Sequence, residues 1–143
     1  MTPQESSVWT WMRRTGDGLS GLDQEKHDPS SRSGLPDSNH CYRGLDFWVE
    51  HKVGIEPTKP TSLVKLKHPV SDDQIRWHRK RMKAGGLVFI LVRMGNGSKA
   101  RHYLIEASHG PQLGTVPEAT LAAWSVCDPA STWAETLEEI RRL

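Results

Sequence analysis

Gly34-Leu-Pro-Asp37 and, further on, Leu45-Asp-Phe-Trp-Val-Glu-His-Lys-Val53 are the two stretches on which the fold turns. The second is rich in β-forming residues, and a shorter candidate strand over 38–43 precedes it, joined at Arg43-Gly44. Successive side chains alternate along a strand, so Glu50 and Lys52 leave one face and His51 the other. Asp37 stands 13 positions before Glu50, at the start of the preceding strand. A hairpin of that length brings the start of one strand beside the end of the next. Two carboxylates then converge with an ammonium group close by.

Hard oxygen ligands in that number suit Mg²⁺, which keeps several waters and completes its shell with phosphate oxygens. Such an ion polarises a phosphate and acidifies a bound water, while Lys52 orients that water or offsets developing negative charge. The competing reading is a surface Glu–Lys pair on an edge strand. His51, pointing the other way, reads as a hydrogen-bonded core histidine.

Downstream, Pro57 and Pro60 mark a connection, and 62–67 reads as a further strand. Ser71-Asp-Asp-Gln74 announces a helix with Ser71 as N-cap and acids in the first turn, ending at Gly85-Gly86. On a wheel of about 100° per residue, Gln74, His78 and Arg81 form one stripe. Ile75 and Met82 flank it on one side, Trp77 and Ala84 on the other. A polar stripe inside an apolar arc has to face the sheet or a cleft, where it needs partners. Leu87-Val-Phe-Ile-Leu-Val92 opens a buried strand over 87–93, and a Gly-Asn-Gly turn leads to another over 101–106. The remainder reads as helical, broken at Pro117 and Pro129. At the start, a short helix runs from Val8 to Thr15, with Ser6 or Ser7 as N-cap. Residues 15–40 read as loop. The order α, β, β, β, α, β, β, α predicts an α/β fold, a central mixed sheet flanked by helices.

The chain has 143 residues, one domain by length, and its 36% hydrophobic and 25% charged composition is globular. No apolar run reaches membrane-span length, and Met1-Thr-Pro-Gln-Glu5 lacks the pattern of a secretory signal. The expectation is a cytoplasmic protein with no membrane partner and with Cys41 and Cys127 as free thiols. The net charge is only +2, but it is unevenly spread. Residues 59–83 carry eight Lys or Arg against Asp72 and Asp73, and residues 106–143 carry six acids against two arginines. The basic segment is a candidate footprint for a polyanion, with a solvated helix face as the alternative. No CxxC or HxxxH spacing supports zinc, and no glycine-rich phosphate loop is present. Trp9 and Trp11 suit packing between elements or subunits.

Pro36-Asp37 followed by Glu50-x-Lys52 resembles the PD-(D/E)XK nuclease signature. With Ser71-Asp-Asp-Gln-Ile-Arg-Trp-His78 and Ala84-Gly-Gly-Leu-Val-Phe-Ile-Leu-Val92, the pattern is similar to small phage-encoded members. These are related in style to virus-type replication-repair nucleases and archaeal-type Holliday-junction resolvases. The likeness spans roughly residues 25–106 of a single nuclease domain over 1–143. It implies a restriction-endonuclease-like core and Mg²⁺-dependent hydrolysis of phosphodiester bonds in DNA, with Mn²⁺ as a substitute. By position it makes Asp37 and Glu50 metal ligands, Lys52 the catalytic lysine and Gln74 an accessory residue. A further acid is expected before the Pro-Asp: Asp28, or else Glu25. Lys59, Lys65, Lys67, His78 and Arg81 are the expected phosphate contacts, which position nucleic acid without reading sequence. A homodimeric junction resolvase, a homing-type nuclease and a catalytically silent DNA-binding or virion component are the alternatives. His51 departs from the pattern, which usually has an apolar residue there.

Overall fold

The computed structural model describes residues 3–28 and 33–143. Helix α1 (Pro3–Gly16) is followed by strands β1 (Leu22–Lys26), β2 (Ser38–Tyr42), β3 (Leu45–Ile55) and the two-residue β4 (Lys65–Leu66). Then come α2 (Asp72–Lys83), β5 (Leu87–Met94), β6 (Arg101–Glu106), α3 (Glu118–Trp124) and α4 (Trp133–Arg141). The sheet runs β1-β2-β3-β5-β6, with β4 paired to the end of β3. Every pairing is antiparallel except β3–β5, whose parallel register needs the long crossover through α2. The α/β mixed sheet with flanking helices expected from the sequence is present.

Alternation along the strands builds one core on each face. Phe47 and Val49 of β3, with Phe89 and Leu91 of β5, join Val8 and Met12 of α1 and Trp133 and Leu137 of α4. Val88, Ile90 and Val92, on the opposite face of β5, pack with Tyr103, Leu121 and partly buried Trp48 and Trp77. The first face belongs to α1 and α4, the second to α2 and α3. In this fold no helix is long and apolar enough to cross a membrane, among the described residues.

Four local differences from the sequence reading have physical causes. Strand β1 lies within the segment read as loop. Its sequence Leu-Asp-Gln-Glu-Lys has one apolar residue, as suits a charged edge strand whose partner, β2, supplies its hydrogen bonds. The strand expected over 62–67 shrinks to β4, because Val64 N–H instead donates to Val116 C=O at 2.8 Å. Helix α1 starts at Pro3 rather than after Ser6 or Ser7, as proline is tolerated in a first turn. The chain after β6 first forms a 3-10 segment, Ala107–Gln112, before α3 and α4.

The α1-side face carries a buried polar chain. His40 Nδ1–H donates to Gln24 Oε1 at 3.0 Å, which leaves His40 Nε2 to accept from the Ser38 hydroxyl at 2.7 Å. The same hydroxyl oxygen accepts from His51 Nε2–H at 2.8 Å. Trp133 Nε1–H also donates to Gln24 Oε1 at 3.0 Å. His51 is therefore the core histidine expected, and the ring of Trp9 stacks beside it.

The segment leading into β2 is held by Gly34. It adopts φ +80°, and a Cβ there would lie 2.3 Å from the Asp73 carbonyl oxygen and 2.7 Å from its carbon. Backbone cannot retreat as a flexible side chain can. Gly34→Ala is expected to lower the unfolding free energy by roughly 1–3 kcal/mol, measured by urea denaturation. Gly18 has a similar φ but open space around it, so Gly18→Ala is the control and should cost less. Equal losses would remove the close approach to α2 as the cause.

Candidate active site

The β2–β3 register sets Ser38 opposite Val49, which places Asp37, one residue earlier, beside Glu50. Asp37 Oδ2 accepts from the backbone N–H of His51 at 2.8 Å, pinning the carboxylate to β3. Asp37, Glu50 and Lys52 are 6%, 2% and 3% exposed. Burial comes first, and the neighbouring Glu50 carboxylate second, in pushing the Asp37 pKa up to about 7. Asp37 thus holds its proton up to near neutrality.

Helix α2 supplies the counterparts. Its capping box is present, with the Ser71 side chain accepting from Gln74 N–H and Gln74 Oε1 accepting from Ser71 N–H. That cap fixes the helix phase, and Gln74 bridges the site. Its Nε2 donates to Glu50 Oε2 at 3.2 Å, and its Oε1 accepts from Lys52 Nζ at 3.1 Å. Lys52 Nζ also donates to the Pro69 carbonyl at 3.4 Å. One turn on, His78 Nε2 meets Glu50 Oε1 at 3.3 Å. Burial, and then the Lys52 charge, lower the His78 pKa to about 4. His78 is therefore neutral at pH 7, with its proton on Nε2 facing the carboxylate. One turn further, the Arg81 guanidinium lies over the rings of Trp48 and Trp77, 5.3 and 4.8 Å from their centroids. The Gln74–His78–Arg81 stripe faces the sheet, as the helical wheel requires.

Not every expected residue joins this group. His78, read as a phosphate contact, is 1% exposed and turned to Glu50, so it supports a carboxylate instead. Lys59, Lys65 and Lys67 are exposed. Lys65 pairs with Ile55 and flanks Leu66, which packs in the α2-side core. Lys65 therefore points to the other side of the sheet from Glu50 and Lys52, and Lys67 lies one residue past the end of β4. Asp28 is exposed, and no group of three His, Cys, Asp or Glu ligands forms among the described residues. The third acid is thus not gathered with Asp37 and Glu50. Glu25 sits opposite Asn39, further along β2.

Sequence reasoning missed His27. Its N–H donates to the Asp37 carbonyl at 2.8 Å, its Nε2 meets Asn39 Oδ1 at 2.6 Å, and its ring stacks on Trp48. Only recognition of β1 would have found it. Cys41 and Cys127 are free thiols.

No family model and no curated protein matches the chain. Among solved structures, one similar chain is a VRR_NUC domain, 24% identical, with 66% of this chain and 87% of that chain covered and a TM-score of 0.42. Another is Hjc of Archaeoglobus fulgidus, a Holliday junction resolvase from an archaeal hyperthermophile. It is 16% identical, with 85% of this chain and 98% of that chain covered and a TM-score of 0.43.

The buried histidines set a pH dependence. His40 is held well below its usual range, and His51, His78 and His102 at about 4, in each case chiefly by burial. Between pH 6.5 and about 4 the unfolded chain takes up protons that the folded one refuses, so stability falls as pH falls. Asp37 opposes this, since its folded pKa near 7 lies above the unfolded 3.8, but it is one group against four. Urea midpoints are expected to drop steadily from pH 6.5 to 4.5. A flat or rising profile would contradict neutral burial of these rings.

Proposed function

We propose that the protein is a metal-dependent nuclease that hydrolyses phosphodiester bonds in DNA, with Mg²⁺ as its ion and Mn²⁺ able to replace it. The observation that carries this reading is the convergence of Asp37, Glu50 and Lys52 on one face of the β2–β3 hairpin, buried and bridged by Gln74. The donor set fits a hard dication. Two carboxylate groups in mutual contact, one holding its proton up to about 7, are a pair whose repulsion a cation relieves. Two protein carboxylates are a usual number for Mg²⁺, the rest of its shell being water and substrate phosphate.

Asp37 and Glu50 would hold the ion. When bound, it supplies Lewis acidity at the phosphate and a more acidic water. The other steps belong to side chains. Lys52, fixed by Gln74 and Pro69, presents an ammonium group where negative charge develops as water oxygen bonds to phosphorus and the bond to the leaving oxygen breaks. Gln74 is a positioning residue that keeps Glu50 and Lys52 in mutual register. His78 donates to Glu50 and so fixes the second oxygen of that carboxylate. Arg81, over Trp48 and Trp77, is the α2 cation that faces the same side as the site and is suited to a backbone phosphate. Origin in a phage, and a dimeric resolvase arrangement, rest on the sequence resemblance.

The defining experiment incubates single-stranded, duplex, flapped and four-way-junction DNA with the protein, with and without Mg²⁺. Lys52→Ala leaves both carboxylates in place, so DNA and Mg²⁺ should still bind while single-turnover cleavage falls about 10²–10³-fold. Asp37→Asn removes an anionic ligand, so its loss should be partly rescued by raising Mg²⁺, whereas that of Lys52→Ala should not. Wild-type rates in both variants would place the active site elsewhere.

Salt dependence separates the two candidate phosphate surfaces. Each neutralised phosphate contributes about 0.9 to the slope of log K against log salt. Arg81→Ala should flatten the slope by about one such contact. Replacing Lys65 and Lys67 together should leave it nearly unchanged, because Lys65 faces away from the site and Lys67 lies beyond the end of β4. The reverse pattern would put the DNA path along β4.

A further inference from the structure

On the opposite side of the sheet from the carboxylates lies a cleft of about 600 Å³ between α1, the end of β5, the start of β6 and the turn into α4. Trp11, Arg14, Arg93, His102, Ser131 and Thr132 are among its lining residues, and no described lining residue carries a carboxylate. Two of them hold buried nitrogens with no hydrogen-bond partner among the described residues, Arg93 Nε and His102 Nε2. His102 is only 5% exposed, and the Trp11 ring stacks on it at 3.9 Å and 5°. Among the described residues, the Arg93 side chain donates to the neutral Ser7 hydroxyl. Asp17, one turn along α1, is engaged by Arg13 Nε at 3.0 Å.

A buried imidazole nitrogen and a buried guanidinium nitrogen left without partners, with no carboxylate among the described lining residues, are costly unless something polar or negative completes them, and the exposed Arg14 adds a second cation at the same cleft. We propose that this cleft is a binding site for a small phosphate-bearing anion of nucleotide size, held by Arg14, Arg93 and His102. The guanidinium fork matches a phosphate's oxygens, and Ser131 and Thr132 add hydroxyls at the rim. The volume lies in the usual range of small-molecule pockets, about 300–1,000 Å³. A local excess of positive charge also shows in the titration of the two residues. Burial first, then Arg93 and Arg14, lower the His102 pKa to about 4, and burial with Arg14 lowers that of Arg93. The site stands independently of the nuclease reading, because none of its residues belongs to the Asp37–Glu50–Lys52 group.

The test is calorimetric titration of the whole protein in metal-free buffer with deoxyadenosine monophosphate, inorganic phosphate, deoxyadenosine and a six-nucleotide oligothymidylate. Deoxyadenosine monophosphate is expected to bind at one site and deoxyadenosine not to bind. Binding of inorganic phosphate as tightly would identify the phosphate group alone as the ligand; weaker binding would assign part of the affinity to the nucleoside. Arg14→Ala removes an exposed side chain and should leave folding intact while weakening binding about ten- to hundredfold, and His102→Asn should act in the same direction. Lys52→Ala should leave binding unchanged, which separates this site from the catalytic group. The proposal is overturned if neither phosphate compound binds, if Arg14→Ala has no effect, or if Lys52→Ala abolishes binding. It is equally overturned if only the oligothymidylate binds in an Arg14-dependent way, since the cleft would then be part of a strand path. These are binding readouts, so they hold whether or not the protein cleaves DNA.

Discussion

Everything at the candidate site depends on the antiparallel register of β2 and β3. With Ser38 opposite Val49, the carboxylates of Asp37 and Glu50 have to meet, and the His51 N–H holds Asp37 in place at 2.8 Å. Burial first, and the repulsion of the Glu50 carboxylate second, raise the Asp37 pKa to about 7. The rest of the α2-side face answers that repulsion. Lys52 brings the ammonium charge, Gln74 and His78 bring donors to Glu50, and the Pro69 carbonyl fixes the lysine. A pair of acids this deeply buried would be an unstable feature in a merely structural sheet, where apolar residues would pack as well.

The same strand carries polar residues to its other face. Glu50, His51 and Lys52 are consecutive and all buried, so β3 cannot be read as having one wet and one dry side. His51 is satisfied through Ser38, and the chain continues through His40 to Gln24 and Trp133. Since the His51 backbone N–H holds Asp37 while its ring is locked on the reverse face, the packing of α1 and α4 is mechanically tied to the carboxylate. A shift of β3 by one residue would exchange the two polar sets and leave both unpaired.

The elements around this strand were legible because their signals are local. Alternation in β3, the apolar run of β5 and the capping sequence of α2 each fix their element without tertiary help. The Asp37–Glu50–Lys52 convergence was legible for the same reason, as it needs only strand alternation and hairpin length. What escaped was non-local. Strand β1 has one apolar residue in five and forms because β2 offers an edge, so His27 and its place beside Asp37 and Trp48 stayed hidden with it. The two lysines flanking Leu66 were legible as charge but not as direction, which is set by the pairing of Lys65 with Ile55. His78 was rightly placed on the inward stripe, yet whether it meets a phosphate or a carboxylate depends on the sheet beneath it.

Gln74 shows how a local signal and a long-range site can reside in one residue. At the third position of α2 its side chain accepts from the Ser71 N–H at 2.9 Å, a task that glutamate performs equally well in a capping box. Here the same oxygen also accepts from Lys52, and the amide nitrogen donates to Glu50. Glutamate would keep the cap and the lysine contact, but it would lose the donor and set a third carboxylate against a pair that already retains a proton. Alanine would lose both cap and bridge. The amide alone meets the helix, the ammonium group and the carboxylate at once, so the start of α2 and the orientation of Lys52 are fixed by the same side chain.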